Sequence, residues 1–121
     1  MSTNDHLGKY AEGWIKGDPD TVMSSLADEY VMDDPAVEGP VSKAGFRDYF
    51  NQTKEMIASM GGGGDPFMEL TEIVTSEKDG ILTAWAWWEM LGTPMKGSGL
   101  IKVTENGVIS ERLTFYTKPA E

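Results

Sequence analysis

The sequence predicts an α+β domain in which three N-terminal helices pack in a curved antiparallel sheet. In the first half of the chain, apolar residues recur every three or four positions, as they do along one face of a helix. In the second half they alternate with polar residues, and the pairs Asp79-Gly80 and Asn106-Gly107 predict tight hairpin turns. Helices followed by a strand meander are typical of the α+β class. A curved sheet wrapped around helices would leave a conical pocket between the two layers.

The ends of the first two helices are marked by capping residues. The first helix is predicted over roughly residues 4–16 and stops at Gly17. Its apolar side chains share one face: Leu7, Tyr10, Ala11, Trp14 and Ile15. Asp18 and Pro19 then start a short second helix, since aspartate caps helices and proline fits the first helical position. We expect this helix to bury three apolar side chains: Val22, Met23 and Leu26.

A strand at residues 30–33 and a turn at residues 38–40 are predicted before the third helix. Ser42 can cap that helix. One stripe of it carries the following side chains: Phe46, Tyr49, Phe50, Thr53, Ile57 and Met60. The four glycines that follow at positions 61–64 lack the Gly-Lys-Ser/Thr ending of a phosphate-binding loop, so we interpret them as a flexible linker.

The remaining chain is predicted to form an antiparallel meander. Its four strands are expected at residues 67–76, 81–91, 95–104 and 108–117. The Asp-Gly and Asn-Gly turns join the first two strands and the last two. No internal repeat or second hydrophobic unit is visible, so residues 1–121 are interpreted as one domain.

Composition excludes several classes of partner and site. Twenty acidic and ten basic residues give a net charge of -10, which disfavours nucleic acid and anionic membrane surfaces. The chain has no cysteine and one histidine, so no metal site is expected, and no cofactor motif is present. No apolar run resembles a signal peptide or a membrane span, and we therefore expect a soluble, cytoplasmic protein. Because no cofactor motif is present, we expect no cofactor.

Asp34 is the first candidate functional residue. It follows the strand at residues 30–33, beside Asp33, and Pro35 favours an extended backbone at this point. A carboxylate there can be a proton-transfer group at the mouth of a cavity, or a residue whose side chain forms a turn before proline. Asp33 is expected to point outward, since neighbours on a strand face opposite sides.

The tryptophan-rich strand predicts both a pocket wall and an interface. Period-two alternation groups Ala84, Ala86, Trp88 and Met90 on one face, which we assign to the pocket. Trp85 and Trp87 would then lie on the outer sheet surface, where exposed aromatic residues are typical of interfaces. We expect a homodimer through this face. The alternative is that a terminal segment covers both tryptophans within one chain.

Several segments together resemble a known family. They are Tyr10, Gly17-Asp18, Asp20, Leu26-Ala27-Asp28, Asp34-Pro35, Gly39, Phe46, Tyr49-Phe50 and residues 106–115. The pattern resembles the ketosteroid isomerase and SnoaL-like polyketide cyclase group of the nuclear transport factor 2-like superfamily. The resemblance implies a cone-shaped α+β barrel, sheet-to-sheet dimers and a small apolar ligand. It also implies that Asp34 acts as a general base and that Tyr10, seven residues before Gly17, donates a hydrogen bond to an oxyanion.

The third polar group of the isomerase site is missing. The family's neutral acid aligns with residues 97–101, where this chain has no acidic residue. Ser98 could replace it if its side chain faces the cavity. Glu111 is the other candidate: in one phase of the last strand it points inward with Leu113 and Phe115. In the opposite phase Arg112 would point inward instead.

These observations support an enzyme that moves a proton on an apolar carbonyl compound, by isomerisation or by an aldol-type cyclisation. Asp34 and Tyr10 would be the catalytic residues. Besides Ser98 and Glu111, we expect a set of mostly aromatic residues in the pocket: Trp14, Phe50, Trp88, Leu113 and Phe115. A non-catalytic ligand-binding module and a dimeric interaction module of the same fold are the alternatives.

Overall fold

Three helices and six strands make up the computed structural model, which describes residues 2–116. The helices are α1 (Thr3–Lys16), α2 (Pro19–Ser24) and α3 (Lys43–Ser59). The strands are β1 (Leu26–Asp33), β2 (Val41–Ser42), β3 (Met68–Lys78), β4 (Ile81–Met90), β5 (Lys96–Thr104) and β6 (Gly107–Tyr116). Because β1 and β2 separate α2 from α3, the helices do not form one uninterrupted N-terminal block.

Side-chain caps explain where the helices begin. The Ser2 side chain accepts a hydrogen bond from the Asp5 amide at the start of α1, and Asp5 caps the Ser2 amide in return. Gly17 ends α1 in the left-handed region, at φ 71°. The Ser42 hydroxyl accepts a hydrogen bond from the Gly45 amide at the start of α3. The helix boundaries predicted from Gly17 and Ser42 are confirmed to within one or two positions, whereas the cap at Ser2 was not predicted.

The sheet has the strand order β2-β1-β6-β5-β4-β3. Most neighbouring strands are antiparallel as predicted, but β1 runs parallel to β6, so the expectation of a purely antiparallel sheet is wrong at this pair. The sheet is curved and open rather than closed into a barrel, because β2 and β3 are its two edges. The parallel pairing brings the end of β1, and with it Asp34, beside the inner residues of β6.

The largest differences from the predicted boundaries lie between α2 and β1. Leu26 belongs to β1 and pairs with Val108, so it does not extend α2. The Ser25 carbonyl accepts a hydrogen bond from the Val108 amide at 2.8 Å, and this bond draws the chain into the sheet four residues earlier than predicted. The two-residue strand β2 was not predicted, and Thr117, predicted to end the last strand, lies outside the described residues.

The core lies between the helices and one face of the sheet, here called the inner sheet face. Aromatic side chains of α1, α3 and β1 form its centre: Tyr10, Trp14, Tyr30, Phe46 and Phe50. Along β4, buried residues alternate with more exposed ones, as predicted. The tight turn between β3 and β4 has positive φ at both Asp79 (54°) and Gly80 (79°), as a type I′ hairpin requires. None of the helices within residues 2–116 is long and apolar enough to span a membrane.

Candidate functional site

A cavity of about 140 Å³ lies between the helices and the inner sheet face. Its walls are mostly apolar and include four methionines: Met56, Met68, Met90 and Met95. Such flexible side chains let a cavity adapt to ligands of irregular shape. The carboxyl and hydroxyl groups in the wall belong to five residues: Tyr10, Asp34, Tyr49, Thr53 and Glu111. A few polar groups in an apolar cavity are the usual composition of a small-molecule site.

The strand register directs Glu111 into the cavity. Glu111 pairs with Ile101, which in turn pairs with Ala84 on the inner sheet face. By alternation Leu113 and Phe115 also face inward, and both line the cavity. Arg112 lies on the opposite face, where its side chain is 73% exposed and lies 3.8 Å from the Asp33 carboxylate. Of the two phases considered for the last strand, the structure therefore has the one in which Glu111 points inward and Arg112 points outward.

Two glycines on β5 make room for side chains that reach across from neighbouring strands. A Cβ atom at Gly99 would collide with Oε2 of Glu111, and one at Gly97 would collide with the Trp88 ring. The Glu111 carboxyl group therefore occupies the volume that a side chain at position 99 would fill. This explains in part why the Gly-Ser-Gly segment carries no acid of its own: the acid in this part of the cavity comes from β6.

Glu111 ends a chain of three buried polar groups. The hydroxyl groups of Tyr10 and Tyr30 lie 2.8 Å apart, and the Tyr10 hydroxyl donates a hydrogen bond to Oε1 of Glu111. The pKa of Glu111 is raised from 4.5 to about 7: burial raises it most, the Tyr10 hydrogen bond lowers it, and the negative charge of Asp34 raises it. Burial, followed by the Glu111 charge, holds the pKa of Tyr10 well above its ordinary value. Tyr10 therefore remains a hydrogen-bond donor while Glu111 changes its charge near neutral pH.

Asp34 is held by a second tyrosine. Its Oδ2 atom accepts a hydrogen bond of 2.6 Å from the Tyr49 hydroxyl, and its Oδ1 atom accepts one of 2.8 Å from the Ala36 amide. The bond from the Ala36 amide closes the side-chain turn that was one of the two roles considered for Asp34. Asp34 forms this turn and also lines the cavity. Only 5% of Asp34 is exposed to solvent, whereas its neighbour Asp33 points outward.

Two residues expected in the pocket lie elsewhere. Ser98 is on the outer face of β5, where its hydroxyl lies 2.6 Å from that of Thr114, because Gly97 and Gly99 take the inward positions. Phe50 is fully buried behind the cavity wall, with its ring centroid 4.5 Å from that of Trp14. On α3 the spacing Tyr49, Thr53, Ile57 follows the cavity, so the neighbouring Phe50 faces the core. The other expected residues line the cavity: Tyr10, Trp14, Asp34, Trp88, Glu111, Leu113 and Phe115.

Sequence reasoning missed the two tyrosines that contact the candidate catalytic groups. Tyr30 could have been found, since it lies on β1 four residues before Asp34, which directly follows that strand, and even spacing along extended chain places both on the same face. Tyr49 stood in the predicted stripe of α3, but nothing in the pattern of the helix indicated that its hydroxyl would reach Asp34. Within residues 2–116, no group of three or more histidine, aspartate or glutamate side chains is arranged to hold a metal ion.

Comparison with known proteins places this chain in a family. The family model described as a SnoaL-like domain matches residues 7–117. A nuclear transport factor 2-like protein of unknown function from Cytophaga hutchinsonii is 14% identical, with 96% of this chain and 91% of that chain covered and a TM-score of 0.64. A candidate ketosteroid isomerase from Parabacteroides distasonis is 14% identical, with 95% and 87% covered and a TM-score of 0.68. A candidate polyketide cyclase from Xanthomonas campestris is 16% identical, with 96% and 90% covered and a TM-score of 0.62. At these identities the structures share the fold, and the search of curated proteins gives no match.

Proposed function

Because this chain belongs to the family of SnoaL-like domains, we propose that its cavity binds a small apolar carbonyl compound and catalyses proton transfer next to the carbonyl group. The observation that carries this proposal is that Asp34 and the Tyr10–Glu111 pair line one apolar cavity. Proton removal beside a carbonyl needs a base at the carbon and donors at the oxygen, in a site shielded from water.

The hydrogen bonds suggest a division of roles between the two acids. Oε1 of Glu111 accepts the hydrogen bond from the Tyr10 hydroxyl, while Oε2 makes no hydrogen bond to any residue that the structure describes. When Glu111 is protonated at Oε2, this O–H group can donate to the carbonyl oxygen of the ligand. Asp34 then removes a proton from the α-carbon, and the electron pair of the broken C–H bond moves onto the oxygen to give an enolate. Where a C=C bond is conjugated with the enolate, Asp34 returns the proton to the γ-carbon and the compound is isomerised. Where the enolate attacks a second carbonyl carbon instead, a ring closes, and the proton from Asp34 passes to the new alkoxide.

Deuterium exchange tests this chemistry without knowledge of the natural substrate. In D₂O, 4-phenylbutan-2-one should exchange the hydrogens next to its carbonyl at a rate proportional to protein concentration. Proton NMR measures the exchange. Binding of the ketone with no protein-dependent exchange would contradict the catalytic proposal.

A ligand-binding role without catalysis is the second candidate. It is favoured by the hydrogen bonds that both oxygens of Asp34 already accept. In that case the ketone should raise the melting temperature of the wild type and of Asp34→Asn equally, and neither protein should catalyse exchange.

We also propose that two copies of the chain pair through the face of the sheet opposite the helices, here called the outer sheet face. Among residues with a strand partner, this face carries eight charged side chains: Asp33, Glu69, Glu72, Lys78, Glu89, Lys96, Lys102 and Arg112. Four are acidic and four are basic, so the charges of these paired residues cancel, on a chain whose net charge is -10. Two identical acidic molecules repel each other least where they present a neutral surface.

Exposed apolar side chains support the same interface. The Trp85 and Trp87 rings stack on the outer sheet face with centroids 5.1 Å apart and planes 14° from parallel. Trp85 is 50% exposed, and its strand partner Val74 is 54% exposed. Large exposed aromatic groups of this kind are frequent at protein–protein interfaces.

Substitution of Trp87 tests the dimer. Trp87→Lys places a charge in the middle of the proposed interface and should convert the protein to monomers in sedimentation velocity at micromolar concentration. Val37→Lys is the matched control, because Val37 is also an exposed apolar residue (40%) but lies outside the sheet. A dimer that survives Trp87→Lys would exclude this face as the main interface.

A further inference from the structure

Among the described residues, the cavity wall contains acidic side chains but no basic ones. Asp34 and Glu111 both line it, and both are nearly inaccessible to solvent. Within the part of the chain that the structure describes, none of the lining residues is a lysine, an arginine or a histidine. The carboxyl groups are held by tyrosine hydroxyls and by one backbone amide, which are all uncharged donors.

The basic side chains have partners elsewhere. Seven of them contact acidic groups, a hydroxyl group or backbone carbonyls outside the cavity: Lys16, Lys43, Arg47, Lys54, Lys96, Lys102 and Arg112. Lys9 and Lys78 lie on α1 and at the end of β3, and neither lines the cavity. The single histidine, His6, bonds through Nε2 to the Glu105 carbonyl at 2.9 Å. Lys118 lies outside the described residues.

This distribution of charge has a consequence for ligands. A carboxylate or phosphate that entered the cavity would lose its hydration and gain no cation in exchange. It would also stand close to the negative charge of Asp34, whose influence already extends to Glu111. At an effective dielectric constant of about 20, a like charge within about 8 Å weakens binding by roughly 30-fold or more.

We infer that the cavity selects uncharged carbonyl compounds and excludes carboxylates and phosphate esters. This inference rests on the cavity of the proposed function and adds the charge class of its ligand. It also limits the preceding reaction. A precursor that carries a free acid must be esterified, amidated or decarboxylated before it can bind here.

A series of ligands of nearly equal shape tests the inference by binding alone. The ketone 4-phenylbutan-2-one and the anion 3-phenylpropanoate differ by a methyl group in place of an anionic oxygen, and 3-phenylpropanamide is a second uncharged analogue. Isothermal titration calorimetry on the wild type at pH 7 should give Kd values for ketone and amide within about tenfold of each other. The Kd of the anion should be roughly 30-fold higher than that of the ketone. Equal or tighter binding of the anion, or no binding of the ketone, would overturn the inference.

Two variants identify what weakens the binding of the anion relative to the ketone. In the double variant Asp34→Asn with Glu111→Gln, the ratio of anion to ketone Kd should fall by about tenfold, since both cavity charges are gone. An unchanged ratio would show that these carboxyl groups do not exclude the anion. Lys118→Ala should leave the ratio as it is, whereas a larger ratio would reveal a cation near the cavity and contradict the inference. A wild type that shows the expected ratio of Kd values but no protein-dependent deuterium exchange would count against the proposed catalysis alone.

Discussion

Asp34→Asn is expected to lower protein-catalysed deuterium exchange by about 10³-fold, within the range of general-base catalysis. Asparagine keeps the oxygen that accepts the Ala36 amide, so the turn before Pro35 should survive. It also keeps the shape of the carboxyl group beside Tyr49, but it cannot take a proton from carbon. The fold, followed by circular dichroism and thermal melting, should therefore change little while the exchange rate collapses.

Asp33→Asn is the matched control for this variant. Asp33 is the preceding residue, but its side chain is 71% exposed and faces Arg112 on the outer sheet face. Removing this charge should leave exchange within about twofold of the wild type, since exposed ion pairs contribute little. If both variants lost activity equally, a general electrostatic effect would replace the assignment of Asp34 as the base.

Glu111→Gln is expected to lower exchange by about 10²-fold, the usual effect of removing one oxyanion donor. Glutamine keeps an oxygen for the Tyr10 hydroxyl, so the chain from Tyr30 through Tyr10 can persist. The amide N–H of glutamine is a weaker donor to a developing negative charge than the carboxylic acid that it replaces.

The pH profile separates this role from a structural one. The folded pKa of Glu111 is raised from 4.5 to about 7, so the protonated donor persists up to that pH and is lost above it. Wild-type exchange, corrected for the uncatalysed rate, should therefore decline as pH rises through about 7. The Glu111→Gln profile should lack this decline. Glu105→Gln, at the exposed β5–β6 turn, should keep the wild-type profile.

Local patterns were enough to predict most of the fold and part of the site. Capping residues marked the helices, the Asp-Gly and Asn-Gly pairs marked the hairpins, and the predicted family is confirmed by the match over residues 7–117. Alternation along the last strand left two phases open, and pairing of β6 with β5 decides between them by directing Glu111 inward. The parallel pairing of β1 with β6 could not be predicted, because it joins segments about 80 residues apart without a local signal.

The errors at Ser98 and Phe50 have one physical origin. Each residue lies next to a position that does point inward. A shift of one residue reverses the face on a strand, as at Ser98, and turns the side chain by about 100° around a helix, as at Phe50. The inward positions of β5 on either side of Ser98 are glycines, which look least like wall residues, yet Gly99 leaves the space that Glu111 fills. The sequence pattern of one strand cannot reveal such a space, because the group that fills it comes from the next strand.

The titration of Glu111 tests most directly whether the two acids share a cavity. Carbon-13 NMR of protein labelled at the glutamate carboxyl carbons, with Glu111→Gln for assignment, gives the pKa of this group. We expect about 7 in the wild type and a lower value in Asp34→Asn, because the negative charge of Asp34 contributes to the rise. The value in the variant should remain above 4.5, since burial is the largest cause. An unchanged pKa after Asp34→Asn, or a wild-type value near 4.5, would contradict the proposed site.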